Sequence, residues 1–402
     1  MLHFGSKITV SLIRSGKGDC IHIRFSGYSG QARNIIIDSG PPVSAAEFRK
    51  LYNEIIKRDK MLDCVIVTHY DEDHLGGLVK LVETEGSINI GSVYMNGVLP
   101  PEDDENPAHS SHTNLSARQN QELIHKLLEA GIPIENQVTA GRKIEVDGAI
   151  LTVIAPDEER FGRVLGQLEA EETRIQKMFQ EQIQEEPEKR PQEKSQKVLL
   201  AGESDWSVSF EKLMDRTYPS KSVTASNGAS IVFVFQYDGY SFLFTGDAPA
   251  GAVIKGLKHW GSSALSVGKR EKEDMGRVDE IGRTGEKGET DKTDQTVKKS
   301  GTDSTCGIRF QLVKLPHHGS AGNISDQLLS NFQADRFVIC ADGSGHPDKM
   351  TVSKLLRQYG SIGIYSNYSW WRKGFLCDGD QKYLTQGRLD FVNIVEEEIE
   401  LP

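Results

Sequence analysis

The chain has 402 residues, of which 37% are hydrophobic and 26% are charged, a balance typical of globular proteins with a sizeable core. A formal net charge of −11 excludes a broad basic surface, so a polyanionic substrate is not favoured and nucleic acid would need a local groove. Five cysteines without a C-x-x-C pair suit free thiols in a reducing cytosol, and no apolar run is long enough to span a bilayer. We therefore expect a cytoplasmic protein with no membrane partner.

Strand-like and helical patterns alternate along the first part of the chain. β-Branched alternation predicts strands, apolar residues on one face of a helical period predict helices, and Asp-Gly pairs predict hairpin turns. The predicted strands are 7–13, 20–25, 34–40 and 64–68, the predicted helices are 45–58, one beginning at 75 and one ending at 131, and the predicted hairpins are 142–156 and 230–247.

Two stretches of different composition interrupt this pattern. Residues 157–222 are rich in Glu, Gln and Lys, which predicts a solvated helix followed by a mobile segment. Residues 266–304 contain almost no aliphatic side chains, which predicts disorder or a surface excursion. We therefore predict one domain over 1–358 with two charged insertions, and a C-terminal extension, 359–402, that packs on this domain.

A dense group of metal-capable side chains follows the predicted strand CVIVT, in the sequence HYDEDH at 69–74. On a loop that leaves a strand, His69, Asp71, Asp73 and His74 can converge on one point, whereas Glu72 is expected to face solvent. Mixed imidazole and carboxylate ligands are what a divalent transition metal binds. Standing alone, such a cluster is more often a solvated acidic turn.

Three further strands end in residues of the same kind. Asp38 follows NIII, Asp247 follows FLFTG, and the pair His317 and His318 follows LVKLP. Ligands that rigid strands place at one sheet edge form a preorganised site, and open positions for water make such a site catalytic.

The order of these motifs resembles the metallo-β-lactamase superfamily, whose H-x-H-x-D-H signature stands here with Asp71 in place of the second histidine. This departure is similar to the lactamase-like domain of the ComEC DNA-uptake proteins and to related soluble metal-dependent hydrolases. Five more motifs match in order: D-x-G at 38–40, N-x-x-S at 227–230, T-G-D at 245–247, H-H-G-S at 317–320 and H-P at 346–347. The resemblance implies an α+β four-layer αββα sandwich.

The resemblance also implies two divalent metal ions, with zinc the first choice and manganese a competitor because Asp71 hardens the first site. It implies that His69 and Asp71 bind the first metal and that Asp73 and His74 bind the second. Asp247 would bridge them and one of His317 and His318 would complete the second site, the sequence leaving open which. The middle strands offer no histidine to the first metal, so this site is weak or completed by water. The spare candidates are His109 and His112, and the expected substrate contacts are Asn227, Ser230 and Ser320.

The implied activity is hydrolysis by a metal-activated water, with phosphodiesters of a nucleic acid or nucleotide as the leading substrates. Asp73 would orient the water and His346 would donate a proton. Asp38 would support a ligand histidine or merely cap the turn at Ser39. The first alternative is a hydrolase of an amide, lactone or thioester. The second is a weakly active effector or adaptor that binds a protein partner through its insertions. The oligomeric state stays open.

Overall fold

A computed structural model describes residues 1–5, 7–97, 115–166, 170, 205–216, 223–262, 307–396 and 399–401. Within these residues, two sheets of eight strands each form the centre of the molecule. None of the helices in these ranges is long and apolar enough to cross a membrane. Four cysteines of the described chain are free thiols: Cys20, Cys64, Cys340 and Cys377.

The first sheet has the strand order β18-β1-β2-β3-β4-β5-β6-β7. Neighbouring strands from β1 to β4 are antiparallel, and those from β4 to β7 are parallel. Its strands are β1 (Leu2–Phe4), β2 (Ile8–Leu12), β3 (Ile21–Ser26), β4 (Ala32–Ile37), β5 (Cys64–Ile66), β6 (Val93–Tyr94), β7 (Ile134–Glu135) and β18 (Ile399–Leu401). The helices on its outer face are α1 (Ala45–Asp59), α2 (Glu72–Thr84), α3 (Leu115–Glu129) and α4 (158–166).

The second sheet has the strand order β17-β16-β15-β13-β11-β10-β9-β8, antiparallel from β8 to β11 and parallel from β11 to β17. Its strands are β8 (Lys143–Val146), β9 (Ala149–Ala155), β10 (Val232–Tyr237), β11 (Tyr240–Phe244), β13 (Leu312–Lys314), β15 (Phe337–Ile339), β16 (Ile362–Ser366) and β17 (Leu389–Asn393). Two short strands, β12 (Arg309–Phe310) and β14 (Gln333–Ala334), pair separately. The remaining helices are α5 (Phe210–Met214), α6 (Ala225–Gly228), α7 (250–262), α8 (Asp326–Leu329), α9 (Lys349–Tyr359) and α10 (Gln381–Thr385).

Three apolar layers hold these elements together. One joins inward residues of both sheets, such as Ile23 and Phe233, and the other two join each sheet to its own helices. The predicted four-layer αββα sandwich is therefore confirmed. The predicted hairpins are also confirmed, and their Asp-Gly turns have the positive φ angles that favour these residues.

One prediction about the organisation is wrong. Helix α2 begins at Glu72 and not at 75, because Asp71 takes an extended N-cap conformation and Gly76 and Gly77 pack closely against Pro42 and Ser39. Within residues 359–402, which the sequence predicts to be an extension that packs on the domain, β16 and β17 belong to the second sheet and β18 pairs with β1.

The insertions lie largely outside the described residues, the second of them entirely. One part of the predicted first insertion, residues 205–214, belongs to the core. Phe210 is fully buried in the apolar layer between the second sheet and its helices. The spare histidines His109 and His112 also lie outside the described residues.

Candidate metal centre

The candidate ligands meet where the carboxyl ends of strands from both sheets face each other. Asp38 follows β4, His69 follows β5, Asp247 follows β11, and His318 follows β13. Asp73 and His74 lie in the first turn of α2, directly after the N-cap residue Asp71. The sandwich topology therefore brings together side chains that are up to 280 positions apart, from Asp38 to His318.

Four histidine rings are held in one orientation by hydrogen bonds from their Nδ1 atoms. His74 Nδ1 donates to Asp38 Oδ2 at 2.8 Å, and His69 Nδ1 donates to Thr68 Oγ1 at 3.0 Å, while Thr68 itself donates to Asp38. On the second sheet, His317 donates to Asn323 Oδ1 at 3.1 Å and His318 to the carbonyl oxygen of Cys340 at 3.0 Å. The Nε2 atom of each ring is therefore left for a metal to bind, once it carries no proton.

The Nε2 atoms converge on Asp247, whose Oδ2 lies 3.6 Å from His74, 3.7 Å from His317 and 3.4 Å from His318. These separations are too long for good hydrogen bonds. Eleven buried side-chain atoms of the described chain have no hydrogen-bond partner, and four of them lie together here: Nε2 of His69, His74 and His318, and Oδ1 of Asp247. Buried polar atoms without partners are costly, so this arrangement indicates a missing common ligand.

Four groups of three side chains in the described chain have ligand atoms within 4.8 Å of one another. Two of them are His69, His74 and Asp247, and Asp73, His74 and His318, which share the His74 ring, and the other two include Asp19. Imidazole with carboxylate is the donor set of divalent transition metals. The residues therefore fit the metal that the motifs imply.

The charges of the centre are unevenly distributed among its histidines. Burial lowers the pKa of His69 to about 4, so this ring is neutral and can bind a metal at neutral pH. Burial acts in the same direction on His74 and His318, but Asp247 and the other nearby carboxylates together outweigh it and raise the pKa of both rings well above the ordinary value. In the metal-free protein, protons on these two rings would offset part of the negative charge.

Two residues at the centre, Asp19 and Lys314, were not predicted from the sequence. Asp19 lies in the loop between β2 and β3, and its carboxylate forms a fully buried ion pair with the Lys314 ammonium. Asp19 Oδ1 also lies 3.2 Å from His318 Nδ1. A signal was present in the sequence, because a lysine inside the apolar strand LVKL must find a buried partner.

The backbone at the centre is strained at three non-glycine residues. Asp38, His317 and His318 have φ angles of 56°, 49° and 52°, in the left-handed region. Such conformations cost about 1–2 kcal/mol per residue and persist where the surrounding structure enforces them. Their clustering at the carboxyl ends of β4 and β13 is typical of a functional site.

Asp71 and Asp73 occupy different surroundings. Asp73 Oδ2 lies 3.6 Å from His318 Nε2 and 3.9 Å from His74 Nε2, and 39% of the side chain is exposed. Asp71 Oδ2 lies 3.6 Å from His69 Nε2 but belongs to neither group of three. Burial raises the pKa of Asp71. The structure thus places Asp73 among the ligands and Asp71 at their margin.

The structure places the three predicted substrate contacts in buried positions. Ser230 is buried and its Oγ accepts a hydrogen bond from the Asp247 amide at 3.3 Å, so it helps to hold this candidate ligand. Ser320 is buried as well. Asn227 is buried in α6, and its Oδ1 has no hydrogen-bond partner in the described chain.

Asp38 and His346 differ in exposure and in the residues that they contact. Asp38 is fully buried and accepts hydrogen bonds from the Thr68 amide, the Thr68 hydroxyl and His74. It orients ligands and does not itself reach substrate. The His346 ring is half-buried, with its centroid 5.2 Å from that of His317 and its Nδ1 3.7 Å from Asp348 Oδ1. Of the two, only His346 is placed to meet a substrate.

Comparison with known proteins agrees with this geometry. The family model described as metallo-beta-lactamase superfamily matches residues 18–148, which include Asp38 and the run from His69 to His74. The superfamily resemblance is therefore confirmed. No curated protein matches the chain.

Solved structures of this fold resemble the chain at low identity. A metallo-beta-lactamase with a HARLDQ motif from Cronobacter sakazakii is 11% identical, with a TM-score of 0.25, and 59% of each chain is covered. Zn(2+)-bound PqqB from Methylobacterium extorquens is 12% identical, with a TM-score of 0.27 and coverage of 56% of this chain and 52% of that one. The metallo-beta-lactamase fold protein YhfI from Bacillus subtilis is 9% identical, with a TM-score of 0.37 and coverage of 96% and 94%. The chain spans about three fifths of the length of the lactamases first matched.

Proposed function

We propose that this member of the metallo-β-lactamase superfamily is a metal-dependent hydrolase that cleaves phosphodiester bonds in a nucleic acid or nucleotide. The observation that carries the proposal is the convergence of unpartnered His69, His74 and His318 Nε2 atoms with Asp247. We expect two ions, zinc or manganese, held by His69, Asp71, Asp73, His74, Asp247 and His318, with the His74 Nε2 atom binding only one of them. When bound, they would make water acidic and neutralise charge on attacking and leaving oxygens.

The residues of the chain supply orientation and proton transfer. Asp38 fixes the rings of His69 and His74, directly or through Thr68, so the ligands need little reorganisation. Asp73 faces the open side of the centre and can hold a water in line with the substrate. His346, at the rim, can donate a proton to the leaving oxygen.

A basic groove near the centre supports a polyanionic substrate on an otherwise acidic protein. This cavity of about 960 Å³ runs between α7 and strands β8 and β9, and its four cations are Lys143, Arg160, Lys255 and Lys258. Asp157 is the acidic residue among its described walls and pairs with Lys255 at 2.7 Å.

Helix α6 connects this groove with the metal ligands. The Arg160 guanidinium lies 3.9 Å from where a side chain at Gly228 would begin, and Ser226, two residues earlier, lies beside Asp71. A strand of nucleic acid that leaves the centre past α6 would meet cations, and phosphate recognition needs them.

A substrate panel tests the proposal. Single-stranded DNA, RNA, cyclic nucleotides and bis-aryl phosphates, each with zinc or manganese, should include a cleaved substrate, whereas esters, lactones and thioesters should not. Asp73→Ala should abolish turnover, and Glu72→Gln, in the same helical turn, should not. Cleavage confined to the ester, lactone or thioester panel would favour the first alternative, and no cleavage of either panel would favour an adaptor.

The groove has its own test. Lys143→Glu with Lys258→Glu should weaken the salt dependence of KM for a polymeric substrate, by roughly 0.7 in log–log slope per lost phosphate contact. Cleavage of a bis-aryl phosphate should stay unchanged, since that substrate is too small to reach the groove. An unchanged salt dependence would exclude the groove as a path for the substrate.

A further inference from the structure

The buried ammonium of Lys314 lies beside the carboxylate on which the metal ligands converge. Both Lys314 and Asp19 are only 1% exposed, and lysine is almost never fully buried without a partner. Lys314 Nζ forms its ion pair with Asp19 Oδ2 and donates a hydrogen bond to the carbonyl oxygen of Gly246 at 2.9 Å. Two fixed acceptors therefore determine where the ammonium lies.

The distance from this ammonium to Asp247 is the informative quantity. Lys314 Nζ lies 3.7 Å from Asp247 Oδ1, beyond hydrogen-bond range, and Asp247 Oδ1 has no hydrogen-bond partner in the described chain. At this distance the positive charge still favours the ionised carboxylate, because attraction falls only slowly with separation inside a protein. Both oxygens of Asp247 nevertheless remain open to a metal.

Asp19 is anchored well enough to act as a restraint. The main-chain carbonyl oxygen of Asp19 accepts a hydrogen bond from the Gly40 amide at 2.8 Å, which ties its loop to the end of β4. A side chain at Gly18 would collide with the main chain of Asp73, so this loop packs tightly against α2. The loop thus connects Asp19 to the end of β4 and to the beginning of α2.

We propose that Asp19 is a positioning residue that holds the Lys314 ammonium away from Asp247, so that Lys314 stabilises the carboxylate without competing with the metal for it. This inference rests on the proposed metal centre. Without the charge of Asp19, the ammonium would pair with Asp247, the nearest remaining carboxylate, and a metal would have to displace it.

Zinc affinity of the metal-free protein, measured by competition with a chromophoric chelator at fixed pH, tests this inference. Asp19→Asn should bind zinc at least about tenfold more weakly, the effect typical of losing a residue that orients a metal ligand. Removing the competitor as well, in Asp19→Asn/Lys314→Met, should recover most of the loss. A pair that only stabilised the fold would not show this recovery.

Asp380→Asn is the matched control, since Asp380 pairs with the buried Lys349 outside the metal centre. Its zinc affinity should equal that of the wild type. If Asp19→Asn unfolds without zinc, the zinc dependence of its urea midpoint gives the same affinity, because zinc stabilises only the state that binds it.

The outcomes separate this inference from the proposed function. Wild-type affinity in Asp19→Asn, or a double variant as weak as the single one, would overturn the restraint and leave the metal centre intact. A wild-type protein that binds neither zinc nor manganese would overturn both.

Discussion

Two buried Lys–Asp pairs in this molecule have the same chemistry and different surroundings. Lys349 and Asp380 are both fully buried, and Lys349 Nζ also donates to the Trp206 carbonyl oxygen at 2.9 Å and contacts Cys377 Sγ at 3.1 Å. Asp380 accepts hydrogen bonds from the main-chain amides of Phe210 and Cys377. Every charged atom of this pair has a partner.

The pair of Lys314 and Asp19 is equally buried but lies among unpartnered atoms. Asp19 Oδ1 and the neighbouring Asp247 Oδ1 have no hydrogen-bond partner in the described chain. An ion pair in which every charged atom has a partner contributes to the fold. An ion pair that lies among unpartnered polar atoms indicates a place where a ligand would bind. Burial of a charge alone would not distinguish the two.

The largest expected effect is the loss of stability when the ion pair between Lys349 and Asp380 is broken. Lys349→Met leaves the Asp380 carboxylate buried without its cation, so the free energy of unfolding should fall by about 3–5 kcal/mol. Urea denaturation measures this loss, and the zinc affinity of the folded fraction should not change. A variant as stable as the wild type would show that the pair of Lys349 and Asp380 does not stabilise the fold.

A smaller effect is expected from the carboxylate that orients the ligands. Asp38→Asn keeps the size of the side chain but weakens its hold on His74 and Thr68, so zinc affinity should fall by about 10–100-fold. Chelator competition measures it, and Asp63→Asn, which changes another largely buried carboxylate, serves as control. Equal losses in both variants would show that the effect on zinc is not specific to the centre.

The pH dependence of zinc binding tests the protonation of the histidines at the metal centre. His74 and His318 have raised pKa values in the metal-free protein, so zinc must displace their protons and its affinity should rise with pH, up to about tenfold per pH unit for each proton released. Calorimetry in buffers of different ionisation enthalpy counts these protons. Binding without proton release would contradict the assigned electrostatics.

The same shifts give the sign of the stability change in the metal-free protein. A histidine whose folded-state pKa is raised contributes stability that is complete below its unfolded value and is lost as pH rises through the folded value. The metal-free protein should therefore lose stability on going from pH 6 toward alkaline pH, and saturating zinc should remove this loss. Urea midpoints across this range check both statements.

The sequence predicted the fold through its periodicity and its turns. Alternating β-branched runs, Asp147-Gly148 and Asp238-Gly239 determined both hairpins locally, and each lies where expected. The roles of β16, β17 and β18 could not be predicted in this way, because pairing with a distant strand depends on tertiary contacts and not on local pattern.

The candidate site could be predicted only in part from the sequence, because it too depends on tertiary contacts. His69, Asp73, His74, Asp247 and His318 stand in recognisable motifs, and the sandwich brings them together. Asp19 was missed because its role depends on Lys314, almost 300 positions away, and neither residue belongs to a ligand motif. The hydrogen bond between Ser230 and the Asp247 amide was not predicted, because it depends on how the buried chain packs.

The most direct test of the metal centre is a zinc titration of the metal-free protein followed by equilibrium dialysis and elemental analysis. Two bound equivalents are expected in the wild type and in Glu72→Gln, and Asp247→Asn, which weakens the carboxylate shared by the ligands, should retain fewer. A wild-type protein that retains neither zinc nor manganese, or an Asp247→Asn variant that retains both zinc equivalents with unchanged affinity, would contradict the proposed centre.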